Sequence, residues 1–221
     1  MTEIKPKQLR GADLSYQDHS VGVFEHADMR GANLRRANFT SADLSDSDLS
    51  DADMTGALFI GADLRRANLL GSVLCGADLS DTNLRGATFV GADLRGASLC
   101  GADLSDADMT GASLVGADLR GANLCRANLQ VAEMYRANLT GANIDYSVWP
   151  LHCGSGGVII DRRIAAQLAL HFCALECDDT DYQSARAAVL GFAKSSHHAT
   201  CLQASCATSF VGDQDEIHRK L

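Results

Sequence analysis

The chain has 221 residues, of which 46% are hydrophobic but only 5% aromatic, so any core must be filled by small and medium aliphatic side chains. Two prolines beside 20 glycines exclude collagen and proline-rich linkers. A net charge of −9 disfavours direct nucleic-acid binding, because that affinity comes chiefly from cationic contacts with phosphates. No stretch approaches the ~18 apolar residues of a membrane span, and the first residues lack the apolar stretch of a secretory signal. Eight cysteines in that context read as reduced thiols of a cytoplasmic protein.

In chain order, residues 1–10 are a short tail. Its Lys5, Pro6, Lys7 and Arg10 are suited to cover an edge and discourage strand addition. From Leu9 to Trp149 every fifth residue is large and apolar at 28 of 29 positions, with His19 the exception and no insertion or deletion. Two residues before each large one stands Ala, or a small substitute such as Ser47, Ser72 or Thr82. Between them comes mostly Asp or Asn, and the remaining two positions are polar or Gly. His19, with Gln17 and Gly22 in place of Ala, predicts an irregular first coil.

A period of five is neither helical nor that of a simple strand. In an α-helix, five-residue steps rotate by about 140° each and would scatter the leucines around the whole surface. A coil that turns a corner every five residues instead points one large and one small side chain inward per side. Stacking such coils at about 4.8 Å pairs their backbone groups.

The A-[D/N]-L-x-x run resembles the pentapeptide repeat family. The resemblance covers about residues 11–150 and implies an all-β solenoid, a right-handed quadrilateral β-helix with four pentapeptides to a coil. Residues 20 apart would then stack in about seven coils, roughly 34 Å in all. Phe39 would lie over Phe59 as a ring pair. Cys75, Cys100 and Cys125, spaced by 25, would fall on successive sides, too far apart for disulfides.

The pentads stop at Trp149-Pro150. Residues 151–200 read as a helical hairpin capping the rod. A Gly-rich turn leads to a first helix with Ile164, Leu168, Phe172 and Leu175 on one face, and Tyr182, Ala185, Val189 and Phe192 mark a second. Residues 201–221 form a polar tail. The Ser-Val-Trp-Pro-Leu ending resembles that of some bacterial pentapeptide repeat proteins of unassigned function.

Chemistry is sparse. The Cys153–Gly157 turn lacks the Gly-Lys-Ser/Thr ending of a phosphate loop, and neither G-x-S-x-G nor His-Glu-x-x-His occurs. No catalytic residue, cofactor or metal site is assigned. His152, Cys153, His171, Cys173, Cys177, His197, His198, Cys201 and Cys206 collect at the C-terminal end, which leaves a zinc module as an alternative to buried cysteines.

Charge is more informative. Acids cluster at Asp43, Asp46, Asp48, Asp51 and Asp53, and again at Asp103, Asp106 and Asp108. With 20 residues per coil the two groups share one flank, while the arginines concentrate elsewhere, Arg35 and Arg95 in one column and Arg66 and Arg126 in another. The expected function is a non-enzymatic rigid scaffold that displays an acidic surface to a protein partner. The resemblance adds an alternative: some members of the family imitate DNA, bind DNA gyrase or topoisomerase IV and confer quinolone resistance. A homodimer through the C-terminal end is also consistent with it.

Overall fold

A five-residue repeat folds if each pentad satisfies its own amides while turning a corner. The computed structural model describes residues 7–145 and 147. Over that range 24 isolated parallel bridges run from Gln8↔Asp28 to Asn123↔Asn143, and each joins residues 20 apart. Four pentads therefore complete one coil, a closure that period five alone leaves open. Among the described residues no helix is long and apolar enough to cross a membrane.

One pentad shows how the amides are satisfied. Ala102 N–H closes the corner by donating to Leu99 O at 3.1 Å. Asp103 N–H reaches the previous coil at Thr82 O (2.9 Å), while Leu104 and Asp106 N–H reach the next coil at Asn123 O (2.8 Å) and Cys125 O (3.0 Å). The fifth amide, of Ser105, has no backbone partner and donates to Asp103 Oδ1 at 3.0 Å. This is an Asx turn, and it explains why Asp or Asn precedes the inward Leu. Everywhere an Asp or Asn stands there, from Asp13 to Asn143, the amide two residues later bonds to it, as at Ser45, Thr55 and Gln130.

The inward residues form four walls. The first carries Met29, Leu49, Leu69, Phe89, Met109 and Leu129, and the second carries Leu34, Met54, Leu74, Leu94, Leu114 and Met134. The third carries Phe39, Phe59, Leu79, Leu99, Leu119 and Leu139, and the fourth carries Phe24, Leu44, Leu64, Leu84, Leu104, Leu124 and Ile144. All are buried. The Ala positions from Ala27 to Ala142 are buried with them, and where a hydroxyl intrudes it is satisfied: Ser47, Ser72 and Thr82 donate to the carbonyls of Leu44, Leu69 and Leu79. Phe39 and Phe59 stack with centroids 5.4 Å apart and planes 8° apart, as expected.

The first coil corrects an expectation. It keeps full register, with bridges at Gln8, Asp13 and Asp18. His19 extends the aromatic column, its ring 5.1 Å from Phe39 and 5.5 Å from Phe24, although its buried Nε2 has no hydrogen-bond partner. Gly22 replaces Ala for a packing reason: a Cβ there would lie 2.5 Å from Phe24 Cε2. Lys7 Nζ sits 3.7 Å from the centre of the Phe24 ring, in cation–π range. The expected C-terminal hairpin, the tail, Trp149 and residues 1–6 lie outside the described residues.

Each corner needs a left-handed residue. All 27 positions from Gly11 to Gly141, two after each inward residue, have positive φ, 14 of them glycine and 13 not. This is the third residue of a type II turn, which accounts for the Gly and Asp found there. Val21 (φ 52°) and Val131 (φ 54°) are the two β-branched cases, the least tolerant of that backbone. Val131→Gly is expected to raise stability by about 1 kcal/mol, because it relieves left-handed strain of about 1–2 kcal/mol against a smaller entropic cost of Gly. Gly91→Val is expected to lower it by a similar amount, and urea unfolding of both variants measures the pair.

Candidate interaction surface

The eight acids singled out by the sequence divide between two backbone positions. Asp43, Asp48, Asp53, Asp103 and Asp108 occupy the outward bridge position, and each accepts the amide two residues on. Asp46, Asp51 and Asp106 occupy corners with φ of 56°, 57° and 60°. All eight thus have a role in the backbone before any partner is considered, a role invisible to charge counting. The Asx acceptor position and the positive φ are its signal.

The structure brings six of the eight onto one flank. Asp43, Asp63, Asn83 and Asp103 are linked bridge to bridge on the fourth wall, and Asp48, Asn68, Thr88 and Asp108 on the first. Asp46 and Asp106 stand on the corner between those walls, whereas Asp51 turns the next corner and Asp53 lies on the second wall. The groups are three coils apart, about 14 Å at 4.8 Å per coil.

The expectation that arginines concentrate elsewhere fails. Arg66 stacks on Asp46 and Arg126 on Asp106, because 20 residues separate each pair. Arg66 Nε donates to Asp46 Oδ1 at 2.7 Å, and Asp106 receives Arg126 Nε at 3.0 Å and Arg85 at 3.5 Å. Arg30 lies 3.7 Å from Asp48, and Arg35 lies 3.1 Å from Asp53. Four of the eight acids are therefore ion-paired. Asp43, Asp51, Asp103 and Asp108 have no arginine within salt-bridge distance among the described residues. The flank is a lattice of alternating charge with three open carboxylates, and Asp51 adds a fourth on the next corner.

Asn side chains tie the acids together along the rod. Asn68 Nδ2 donates to Asp48 Oδ1 at 3.1 Å, Asn123 to Asp103 at 3.0 Å and Asn128 to Asp108 at 3.3 Å. Asp51 lies against a glycine of the next coil, since a Cβ on Gly71 would meet its Oδ1 at 2.9 Å. Cys75, Cys100 and Cys125 are free, as their spacing predicts. Burial raises the Cys75 thiol, with Asp93 adding to the effect.

Arginine pairing also shifts titration. The hydrogen bond from Arg66 holds the Asp46 carboxyl below its ordinary value. Hydrogen bonds from Arg30 and Arg95 lower Asp28 and Asp93 to about 2.

Two predictions follow from these contacts. Asp103→Ala removes the acceptor for both Ser105 N–H and Asn123 Nδ2 and is expected to cost about 1–2 kcal/mol in urea unfolding. Asp103→Asn keeps that acceptor, loses only the charge and is expected to cost a few tenths. For pH, folded Asp28 and Asp93 lie below their ordinary 3.8, so their contribution is present above that value and is lost as pH falls from about 4 towards 2. Arg95→Ala, which leaves the Arg95 N–H bond to Asp93 in place, is expected to flatten that acid limb in a series of melts.

A family model described as pentapeptide repeats matches 8 copies in this chain, over residues 23–56, 52–91, 77–116, 87–124 and 107–145. No curated protein sequence matches the chain. Among solved structures it is similar to full-length QnrB1, described as a plasmid-mediated fluoroquinolone resistance protein. The identity is 22% and the TM-score 0.44, over 76% of this chain and 85% of that one. It is similar to HetL of the cyanobacterium Nostoc sp. strain PCC 7120, a pentapeptide repeat protein involved in heterocyst differentiation regulation. There the identity is 32% and the TM-score 0.24, over 69% of this chain and 82% of that one. A second Nostoc pentapeptide repeat protein, alr5209, is 38% identical with a TM-score of 0.29, over 49% of this chain and 84% of that one. All three TM-scores are low, and the likeness says nothing of a partner.

Proposed function

The chain belongs to the pentapeptide repeat family, whose fold is a right-handed quadrilateral β-helix, and from that premise we propose that it is a non-enzymatic scaffold. Its rod of about seven coils presents fixed columns of polar side chains to a protein partner in the cytoplasm. One observation carries this reading: all five amides of a pentad such as Ala102–Asp106 are bonded within the rod. The outward side chains therefore stand on a backbone that has little left to order when a partner binds, which lowers the entropic cost of association. Amide hydrogen exchange on the full chain tests it. Ladder amides from 24 to 128 should exchange together and only through global unfolding. A coil that opens independently would refute the rigid scaffold.

A second reading, imitation of DNA toward gyrase or topoisomerase IV, rests on Asp43, Asp103 and Asp108, the carboxylates left open on the flank, with Asp51 on the next corner. Purified gyrase is titrated with this protein in a supercoiling assay, with and without a fluoroquinolone. DNA mimicry predicts inhibition or drug protection at micromolar protein. It also predicts a loss of roughly tenfold or more, about 1.4 kcal/mol, when those four residues become Asn, a change that leaves the Asx acceptors in place. No effect of the wild-type protein at high concentration removes this reading and leaves the scaffold.

A further inference from the structure

We propose that Glu25, His26 and Asp46 form a surface site for a divalent transition-metal ion of the zinc class. One ligand atom from each residue lies within 4.8 Å of the other two, and Glu25 Oε1 stands 3.6 Å from His26 Nε2. Ligands bonded tetrahedrally to one ion at about 2.0–2.1 Å lie roughly 3.3–3.5 Å apart, so small side-chain adjustments bring these atoms to one centre. Three protein ligands leave a fourth position for water. An imidazole beside two carboxylates favours zinc and its first-row neighbours over magnesium or calcium, which take oxygen ligands.

The backbone under the site is hydrogen-bonded from coil to coil. His26 and Asp46 occupy consecutive coils on the corner between the fourth and first walls. His26 N–H donates to Ser45 O at 3.0 Å and Asp46 N–H to Arg65 O at 2.9 Å. The residue types also break the repeat. From 7 to 145 the acids are otherwise Asp, except for Glu133, and the only other histidine is His19. A longer carboxylate and an imidazole are thus adjacent one coil before an aspartate of the same corner column. Arg66 already places a cation against Asp46, through Nε at 2.7 Å, so a metal ion there must compete with the guanidinium. That competition is the signature of the site.

The test is a ¹H–¹⁵N NMR titration of the full chain with Zn²⁺, reversed with a chelator. It reads the corner separately from any metal taken up by the C-terminal cysteines and histidines. Shifts are expected at the amides of residues 25, 26, 46 and 66. His26→Gly should abolish them, and Glu25→Gln should weaken the local affinity about tenfold. Arg66→Gly should tighten it several-fold by removing the competitor. His26 and Arg66 have φ of 56° and 55°, so Gly is tolerated at both and the variants remain folded. Shifts at the corner that persist in His26→Gly, or no shifts there in the wild type, overturn the proposal. Unchanged affinity in Arg66→Gly overturns Asp46 as a ligand.

Discussion

Every feature of this rod depends on one constraint: five amides per pentad must be satisfied while the chain turns a corner every five residues. Three are met by the coils before and after, one by the corner turn and one by an Asx side chain, as in Ala102–Asp106. A buried unpaired amide costs on the order of 1–3 kcal/mol, and a failure repeated in each pentad would outweigh the stability of an ordinary domain. The Ala and Leu that fill the interior are the second half of the same arrangement. The small side chain lets the corner close, and the large one fills the section of the rod.

The corner brings its own cost. A left-handed residue is required at each turn, and 13 of the 27 corners carry a side chain there. Most of these are polar or charged, among them Asp46, Arg66, Asp106 and Arg126. Corners are where side chains project furthest from the core, and they line up in columns. The chain accepts local strain mostly at positions that carry a polar or charged side chain and relaxes it with Gly elsewhere.

That surface is less acidic than its composition suggests. Asp is both the Asx acceptor and the carrier of charge, so an acidic face is in part a by-product of satisfying amides. Arginines one coil away neutralise Asp46 and Asp106, and the four open carboxylates form a smaller and more specific pattern than a uniform anionic strip. Exposed ion pairs add little stability, roughly 0–1 kcal/mol each. Their effect lies in setting which charges remain unpaired on the surface.

The sequence by itself determined which side chains face inward, the need for a corner every five residues and, through the resemblance, the four-sided coil. These follow from local chemistry repeated in tandem, where a leucine, an alanine and an Asx acceptor recur in fixed order. The regular first coil was not legible, because His19 and Gly22 break the pattern in sequence while ring stacking on Phe39 and the space taken by Phe24 restore it in three dimensions. The pairing of charges was not legible either. Asp46 and Arg66 become neighbours only because four pentads close one coil, and the meeting of Glu25 and His26 with Asp46 has the same origin. Contacts along the rod join residues 20 apart; the resemblance supplied that spacing, because the period of five does not say how many sides close, and the tertiary structure decided which side chains meet across it.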